Sequence, residues 1–493
     1  MKERLDSAAR DLNPKAFKKA VEEVFDSSPP HLNHHGVVKD IYFIVKDWMQ
    51  AAELTFSVEH LFAELRPWSE AQFLTLVGDY YQLRGNARLA KKLYREAISH
   101  DCDYAPANNQ LVAIENPDHH GDLSQFLCAL PFTEMQLKTI NGVDQFTFCC
   151  LQWSPYLMGD VKGKTAEEIW NGDGAKEFRR SIVDGDYKYC NRRICSIINN
   201  KTHNMISKGR MNSLDDKQED SGPLQKGTAR RGMRKWDFFM KEQLQKNDPL
   251  VVDRPRHIFI AYDESCNLAC PSCRKEIKQP DRGELSRMDD IFELAVRPLL
   301  KKGEVLLTAS GHGDPLGSPH LRSKLQTLGG EEYSRLKVNL QTNGLLFNPN
   351  GWKHVVAIED KIEDIRVSVD AATKETYEIV RFPGQWCDIM ESLEYLSMRR
   401  RELDFRFVIN LCIQKINYKE IPKFVEMGRH FDVDRVNFQQ LINWGTYTKA
   451  DYAERNVASP EHPEHAEFIS ILKSAYRSWG RVQLSSGLPR LIA

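Results

Sequence analysis

The stretch ESCNLACPSCRKE, residues 264–276, carries Cys266, Cys270 and Cys273 at the spacing C-x3-C-x2-C. The thiolate is the form of cysteine that binds metal, and this spacing brings three of them to one centre. A tetrahedral structural zinc takes four protein ligands, and no fourth cysteine or histidine lies nearby. Three thiolates on a 4Fe–4S cubane leave one iron without a protein ligand, open to something other than protein. A second group is spread more widely, from Cys128 through Cys149 and Cys150 to Cys190 and Cys195. Cys102, Cys387 and Cys412 stand apart from both groups.

The elements that must position these thiols follow from the rest of the chain. Its 493 residues exceed one ordinary domain, and the composition is that of a globular protein, 41% hydrophobic and 28% charged. From residue 255 onward, short apolar runs read as strands: RHIFIAYD, EVLLTAS, LKVNLQT, DIRVSVD, FRFVINLCI and RVNFQQL. Helical stretches such as MDDIFELAVRPLLKK and WCDIMESLEYLSMRRRE lie between them. That alternation predicts parallel βαβ units. The fold class is α/β, a partial (β/α)6 TIM-like barrel over residues 251–493, with its chemistry on loops leaving the C-terminal strand ends. The three-cysteine turn follows the first of these strands.

Residues 1–118 read as an all-α module. Leu74, Gly78 and Tyr81 fit one helix face, Ala90, Tyr94 and Ala97 the next, with Gly85 at the turn. The pair resembles a tetratricopeptide repeat, whose small residues let two helices pack closely; Cys102 stands where that family usually has proline. Residues 119–200 carry the second cysteine group, and 201–250 read as a polar linker, whose ARRGMRK segment reads as a solvated face, with a basic contact patch as the alternative. A formal net charge of −1 gives no global pull toward nucleic acid or an anionic membrane. No apolar run approaches the roughly 20 residues of a membrane helix. The charged N-terminus lacks the apolar stretch of a signal peptide. A cytoplasmic protein is expected, with no nucleic-acid or membrane partner.

The three-cysteine turn, the strand before it and the strand ends that follow resemble the radical S-adenosylmethionine (SAM) superfamily. The resemblance implies a 4Fe–4S cluster on Cys266, Cys270 and Cys273 whose open iron is chelated by SAM. Reductive cleavage of SAM there gives methionine and a 5′-deoxyadenosyl radical that abstracts hydrogen from substrate. It also implies cofactor contacts. SGHGDPL resembles the glycine-rich turn after strand two, giving Gly311 and Gly313 for close backbone approach and Asp314 for the SAM ammonium. LQTNG offers Gln341 and Asn343, and VSVDA offers Ser368 and Asp370 for ribose or carboxylate. Arg381 in YEIVRFPG is placed to pair with the SAM carboxylate, and Asn417 follows strand five. The position before the third cysteine, often aromatic in the family, is Ser272.

The second group resembles the SPASM auxiliary-cluster domain through its order of Cys128, NGVDQFTFCC, GDV, EEIWN, FRRSIVDG and a closing cysteine pair. Cys128, Cys149 or Cys150, Cys190 and Cys195 would then supply four thiolates to one auxiliary 4Fe–4S cluster, with Ile169, Trp170 and Phe178 buried nearby. A four-thiolate zinc site and a metal-free domain are the alternatives. Here the domain precedes the barrel, whereas in the family it usually follows. Five cysteines are too few for two auxiliary clusters. The resemblance implies radical modification of a peptide or protein, with an electron donor such as flavodoxin or ferredoxin. The alternatives are radical tailoring of a small molecule, and a non-catalytic iron–sulfur scaffold.

Overall fold

The structure, a computed structural model, describes residues 86–100, 105–115, 122–140, 142–149, 158–192, 195–200, 204–213, 238–301, 303–309, 312–443, 445–485 and 488–492, with a few positions between 71 and 82 and Ser154. Gly85, Cys102, Cys150, Gly311 and the ARRGMRK segment lie outside the described residues. The chain divides into two compact units: residues 1–133, 140–160 and 167–253 in one, and 134–139, 161–166 and 254–493 in the other.

In the second unit the strands are β2 (Glu134–Ile140), β5 (His257–Ala261), β6 (Val305–Ala309), β7 (Leu336–Thr342), β8 (Ile362–Ser368), β9 (Arg406–Ile413), β10 (Arg435–Gln440) and β11 (Val482–Leu484). They lie in the order β11-β10-β9-β8-β7-β6-β5-β2. The six runs read from the sequence are β5 to β10, and consecutive members pair in parallel. Two further strands are added. β2, read from the sequence as part of the cysteine-rich stretch, pairs in parallel with β5, Gln136 opposite Phe259. Its alternation EMQLKTI buries Met135 and Leu137 on one face, so it gains a core by joining this sheet. β11, only three residues long, pairs with β10 at the other end.

Helices between the strands begin at predictable caps. Asp281 and Glu284 form a reciprocal capping box for Arg282–Ile291. Ser318 caps Pro319–Gln326, with proline at the first turn, and Thr373 caps Lys374–Val380. The core is made of the strand residues on the face toward these helices, among them Leu307, Val338, Leu340, Val367 and Ile409, all at most 1% exposed. The other face is polar for its depth. Asn339 lies opposite Asp364, Gln341 opposite Arg366, Ser368 opposite Asn410 and Asn410 opposite Asn437.

In the first unit, β1 (Phe126–Cys128) pairs antiparallel with β4 (Met205–Ser207), Cys128 opposite Met205. The start of the stretch read as linker therefore folds: β4 and the helix Lys208–Asn212 that follows it are ordered parts of this unit. β3 (Val143–Thr147) bridges to Asp160 through Gln145. Ile169, Trp170 and Phe178 are buried as expected. The Arg179 guanidinium is enclosed with them, 4.4 Å from the Trp170 ring. It donates to the carbonyls of Pro131 and Leu250 at 2.8 and 2.9 Å and to Asn171 Oδ1 at 2.9 Å. Ala90, Tyr94 and Ala97 are buried on the helix Ala87–His100, which packs against Ala105–Glu115. A Cβ on Gly78 would stand 2.5 Å from the Tyr94 ring, so a small residue is required at that crossing.

Candidate functional site

All strands of the parallel sheet point one way, so the loops after β5, β6, β7, β8 and β9 gather at one edge. The cysteine turn after β5 closes on itself. Cys266 N–H donates to Lys278 O at 2.9 Å, and Cys273 and Arg274 N–H both donate to Cys270 O, at 2.8 and 3.0 Å. The turn is also pinned from outside, Ala269 N–H to Phe382 O at 2.8 Å. Cys266 and Cys270 are buried and Cys273 is exposed.

Every one of the three sulfurs faces a donor. Cys266 Sγ accepts from Leu268 N–H at 3.4 Å and Asn343 Nδ2 at 3.7 Å. Cys270 Sγ accepts from Arg381 Nη1 at 3.7 Å, and Cys273 Sγ from Arg274 Nη2 at 3.6 Å. Without iron, burial pushes Cys266 up to about 11, with Asp314 adding to it, and burial also raises Cys270. Donors aimed at sulfur are what a cluster-bound thiolate requires. Arg381 further keeps a buried Nε–H with no partner, a donor suited to a ligand carboxylate. These residues fit a 4Fe–4S cluster with an anionic small molecule beside it. Among the described residues no three His, Cys, Asp or Glu side chains gather tightly enough to hold a single metal ion; a cubane spreads its thiolates over separate irons and asks for a wider set.

The strand-end residues divide into braces and open positions. Asp314 is a brace. Its Oδ1 accepts from Leu316 and Gly317 N–H at 3.0 and 2.9 Å, and its Oδ2 from Thr342 Oγ1 and Asn343 N–H, both at 2.7 Å. At 1% exposure, with both oxygens engaged, it ties the β6 turn to the end of β7 and has no oxygen to spare for a SAM ammonium. Gly313 permits that turn: a Cβ there would lie 2.4 Å from Ser265 O. Asn343 reaches the cysteine turn, donating to Asn267 Oδ1 at 2.8 Å as well as to Cys266 Sγ. Gln341 and Ser368 are half-buried at the ends of β7 and β8.

Asp370 is also committed within the chain. It adopts φ 62°, a left-handed conformation that a short polar side chain tolerates. Its Oδ1 accepts from Cys412 N–H at 2.7 Å and its Oδ2 pairs with Arg381 Nη2 at 2.7 Å. Asn417 holds the same corner, donating to Asp370 O and Cys412 O, each at 2.9 Å. Burial raises the Asp370 carboxyl. Burial alone would lower Arg381, but Asp370 and Cys270 beside it hold the guanidinium above its usual range, so it stays cationic. Asp370 and Arg381 therefore meet each other, and of the two Arg381 keeps a buried donor, its Nε–H, without a partner.

Two neighbours were missed from sequence. Tyr377, one helical turn before Arg381, presents a buried hydroxyl with no partner; the i, i+4 spacing was its signal. Arg274 donates to Glu264 O at 2.5 Å and to His312 O, and only its adjacency to Cys273 pointed to it. The His312 imidazole lies in the same region, pulled down to about 4 by burial and by the Lys138 and Arg274 cations.

In the first unit, Cys128, Cys190 and Cys195 come together around Tyr187. The Cys190 thiol is raised by burial and further by Cys195 and Cys128, and Tyr187 donates to Phe126 O at 2.9 Å. Cys149 follows β3 and is half-buried.

Residues 136–196 match the SPASM model, an iron–sulfur cluster-binding domain; Cys128 lies before the matched segment. The Probable GTP 3′,8-cyclase of Saccharolobus islandicus is 26% identical over 236 residues, 46% of this chain and 71% of its own length. Mycofactocin maturase MftC of Mycobacterium ulcerans is 28% identical over 148 residues, 30% of this chain and 37% of that protein. The structure of Streptococcus suis SuiB bound to precursor peptide SuiA is 15% identical with a TM-score of 0.34, covering 56% of this chain and 58% of that one, less than two thirds of its length. No helix among the described residues is long and apolar enough to cross a membrane. Together with the three-thiol turn, the sequence matches support radical SAM chemistry, with 4Fe–4S clusters and SAM as cofactors, in a chain that carries a SPASM domain.

Proposed function

We propose that this chain is a radical SAM enzyme that modifies a peptide or protein. The observation that carries the reading is the cysteine turn: three thiols, each faced by a hydrogen-bond donor, at the edge where the strand ends gather. Cys266, Cys270 and Cys273 would hold the cluster. When bound, the cluster and SAM supply one-electron reduction and a radical able to abstract hydrogen. Arg381, held by Asp370, would offer its Nε–H to the SAM carboxylate. Asn343 would fix Cys266, while Gln341 and Ser368 would meet the rest of the cofactor. Asp314, Gly313 and Asn417 would keep these parts in register. Cys128, Cys190 and Cys195, with Cys149 or Cys150, would hold one auxiliary cluster. Anaerobic incubation with dithionite and SAM should yield 5′-deoxyadenosine, and no such product from properly folded protein would overturn the reading.

The peptide substrate rests on the SPASM match and on the kinship with a maturase. A helical module unnecessary for SAM cleavage would serve as the peptide grip. A second reading, radical tailoring of a small molecule, is favoured by the longer match to a GTP 3′,8-cyclase. The two separate by adding either GTP or short peptides encoded beside the gene. A peptide that accelerates 5′-deoxyadenosine formation and changes mass supports the first. Stimulation by GTP alone supports the second.

A further inference from the structure

The two guanidiniums at the cysteine turn differ in what balances them. Arg381 is neutralised by Asp370 Oδ2 at 2.7 Å. Arg274 is half-buried and, among the described residues, donates to the carbonyl oxygens of Glu264 and His312 and to Cys273 Sγ at 3.6 Å. The Glu264 carboxylate is taken by Lys278. Among the described residues no carboxylate pairs with Arg274, so its positive charge faces the thiols uncompensated. The two carbonyls fix the guanidinium in place, so its charge cannot swing out to water. One of them belongs to the turn after β6, which locks the charge to the same frame as the thiols.

We infer that Arg274 is a positioning residue whose uncompensated charge raises the reduction potential of the cluster held by Cys266, Cys270 and Cys273. The inference rests on the cluster assignment proposed above. Reduction adds one negative charge to the cluster. A fixed cation 3.6 Å from a ligand sulfur stabilises that charge more than it stabilises the oxidised form, and partial burial limits screening by water. Arg381 adds little to this, because its ion pair is neutral as a whole. Arg274→Gln keeps a hydrogen-bonding side chain and removes the charge. Arg274→Lys keeps the charge and loses the fork that bonds two carbonyls at once.

The test is a potentiometric titration of the full chain followed by electron paramagnetic resonance. The signal lost in the Cys266→Ala/Cys270→Ala/Cys273→Ala variant identifies the cluster in question. In Arg274→Gln its midpoint should fall by about 59 mV, the one-electron equivalent of a tenfold lower reduced-to-oxidised ratio. In Arg274→Lys it should stay at the wild-type value. An unshifted midpoint in Arg274→Gln at full iron content would overturn the inference, as would an equal fall in both variants. If Arg274→Gln loads no iron, loading of Arg274→Lys at the wild-type midpoint supports the charge. Failure of both would leave Arg274 a structural tie and overturn the inference. If no signal disappears in the triple variant, the cluster assignment itself falls, a result distinct from an unshifted midpoint.

Discussion

The thiols at residues 266, 270 and 273 are unlike most buried cysteines, because each sulfur has a donor aimed at it and two of the donors are arginines. Replacing all three with alanine should remove about four irons per chain, one cubane's worth, and abolish SAM cleavage. Iron assay and product analysis check this together; retained 5′-deoxyadenosine would sink the assignment. His312 gives a pH signature. Its pKa in the folded chain is about 4, against an ordinary 6.5. Well above pH 6.5 neither state binds the proton, so the group contributes no pH dependence there. Between 6.5 and 4 the unfolded chain takes up a proton that the folded chain refuses, and stability falls as pH drops. At pH 5 the loss is about 2 kcal/mol. Urea midpoints at pH 7 and pH 5 should therefore differ less in His312→Asn than in the wild type, and identical differences would refute the assignment.

At the scale of elements, two close approaches hold the site and its neighbour in shape. The turn after β6 lies against the backbone that leads into Cys266, with Asp314 N–H donating to Ser265 O at 2.8 Å. Gly313→Ala puts a methyl 2.4 Å from that same carbonyl, so one of the two turns must move. A cost of about 1–3 kcal/mol is expected, as for other overpacked positions. Chemical denaturation should show it, accompanied by lower iron content. In the first unit, Arg179 is 0% exposed and stacks on Trp170 while bonding three acceptors. Arg179→Met keeps much of the apolar bulk and strands those acceptors, each worth about 1–3 kcal/mol when buried and unpaired. A loss on the order of 3 kcal/mol in unfolding free energy is the expected outcome, and a neutral effect would show that the acceptors find other partners.

The whole chain is interleaved. Glu134–Thr139 belongs to the unit of the parallel sheet, while the cysteine-bearing segments before and after it belong to the other. The segment around Cys128 pairs antiparallel with residues 205–207. Asn171 exchanges two hydrogen bonds of 3.0 Å with the backbone of Val252. A fragment of residues 119–200 lacks both supports, and its β2 has no β5 to join. It should fail to hold iron on reconstitution, whereas the full-length triple alanine variant should retain about four irons, one auxiliary cluster. A folded, iron-loaded 119–200 fragment would contradict this, and zinc alone in the full-length variant would replace the redox site with a structural one.

The sequence by itself determined what is local. The thiol spacing, the six strands β5 to β10 and the buried side chains of Ile169, Trp170 and Phe178 were legible because period and spacing act within a few residues. Tertiary structure decided which sheet β2 joins, since an alternating strand has the same pattern whichever neighbour it pairs with. It likewise turned the start of the apparent linker into β4, a three-residue strand whose pairing partner is about 80 residues away in the chain. The same holds for the carboxylates. Asp314 and Asp370 could each be read as a cofactor contact from their place at a strand end. Only the fold shows that backbone N–H groups, Thr342 and Arg381 already occupy them, because a buried carboxylate takes whatever donors the surrounding chain provides. The charge balance between Arg274 and Arg381 was equally out of reach, since it depends on which arginine a distant aspartate meets.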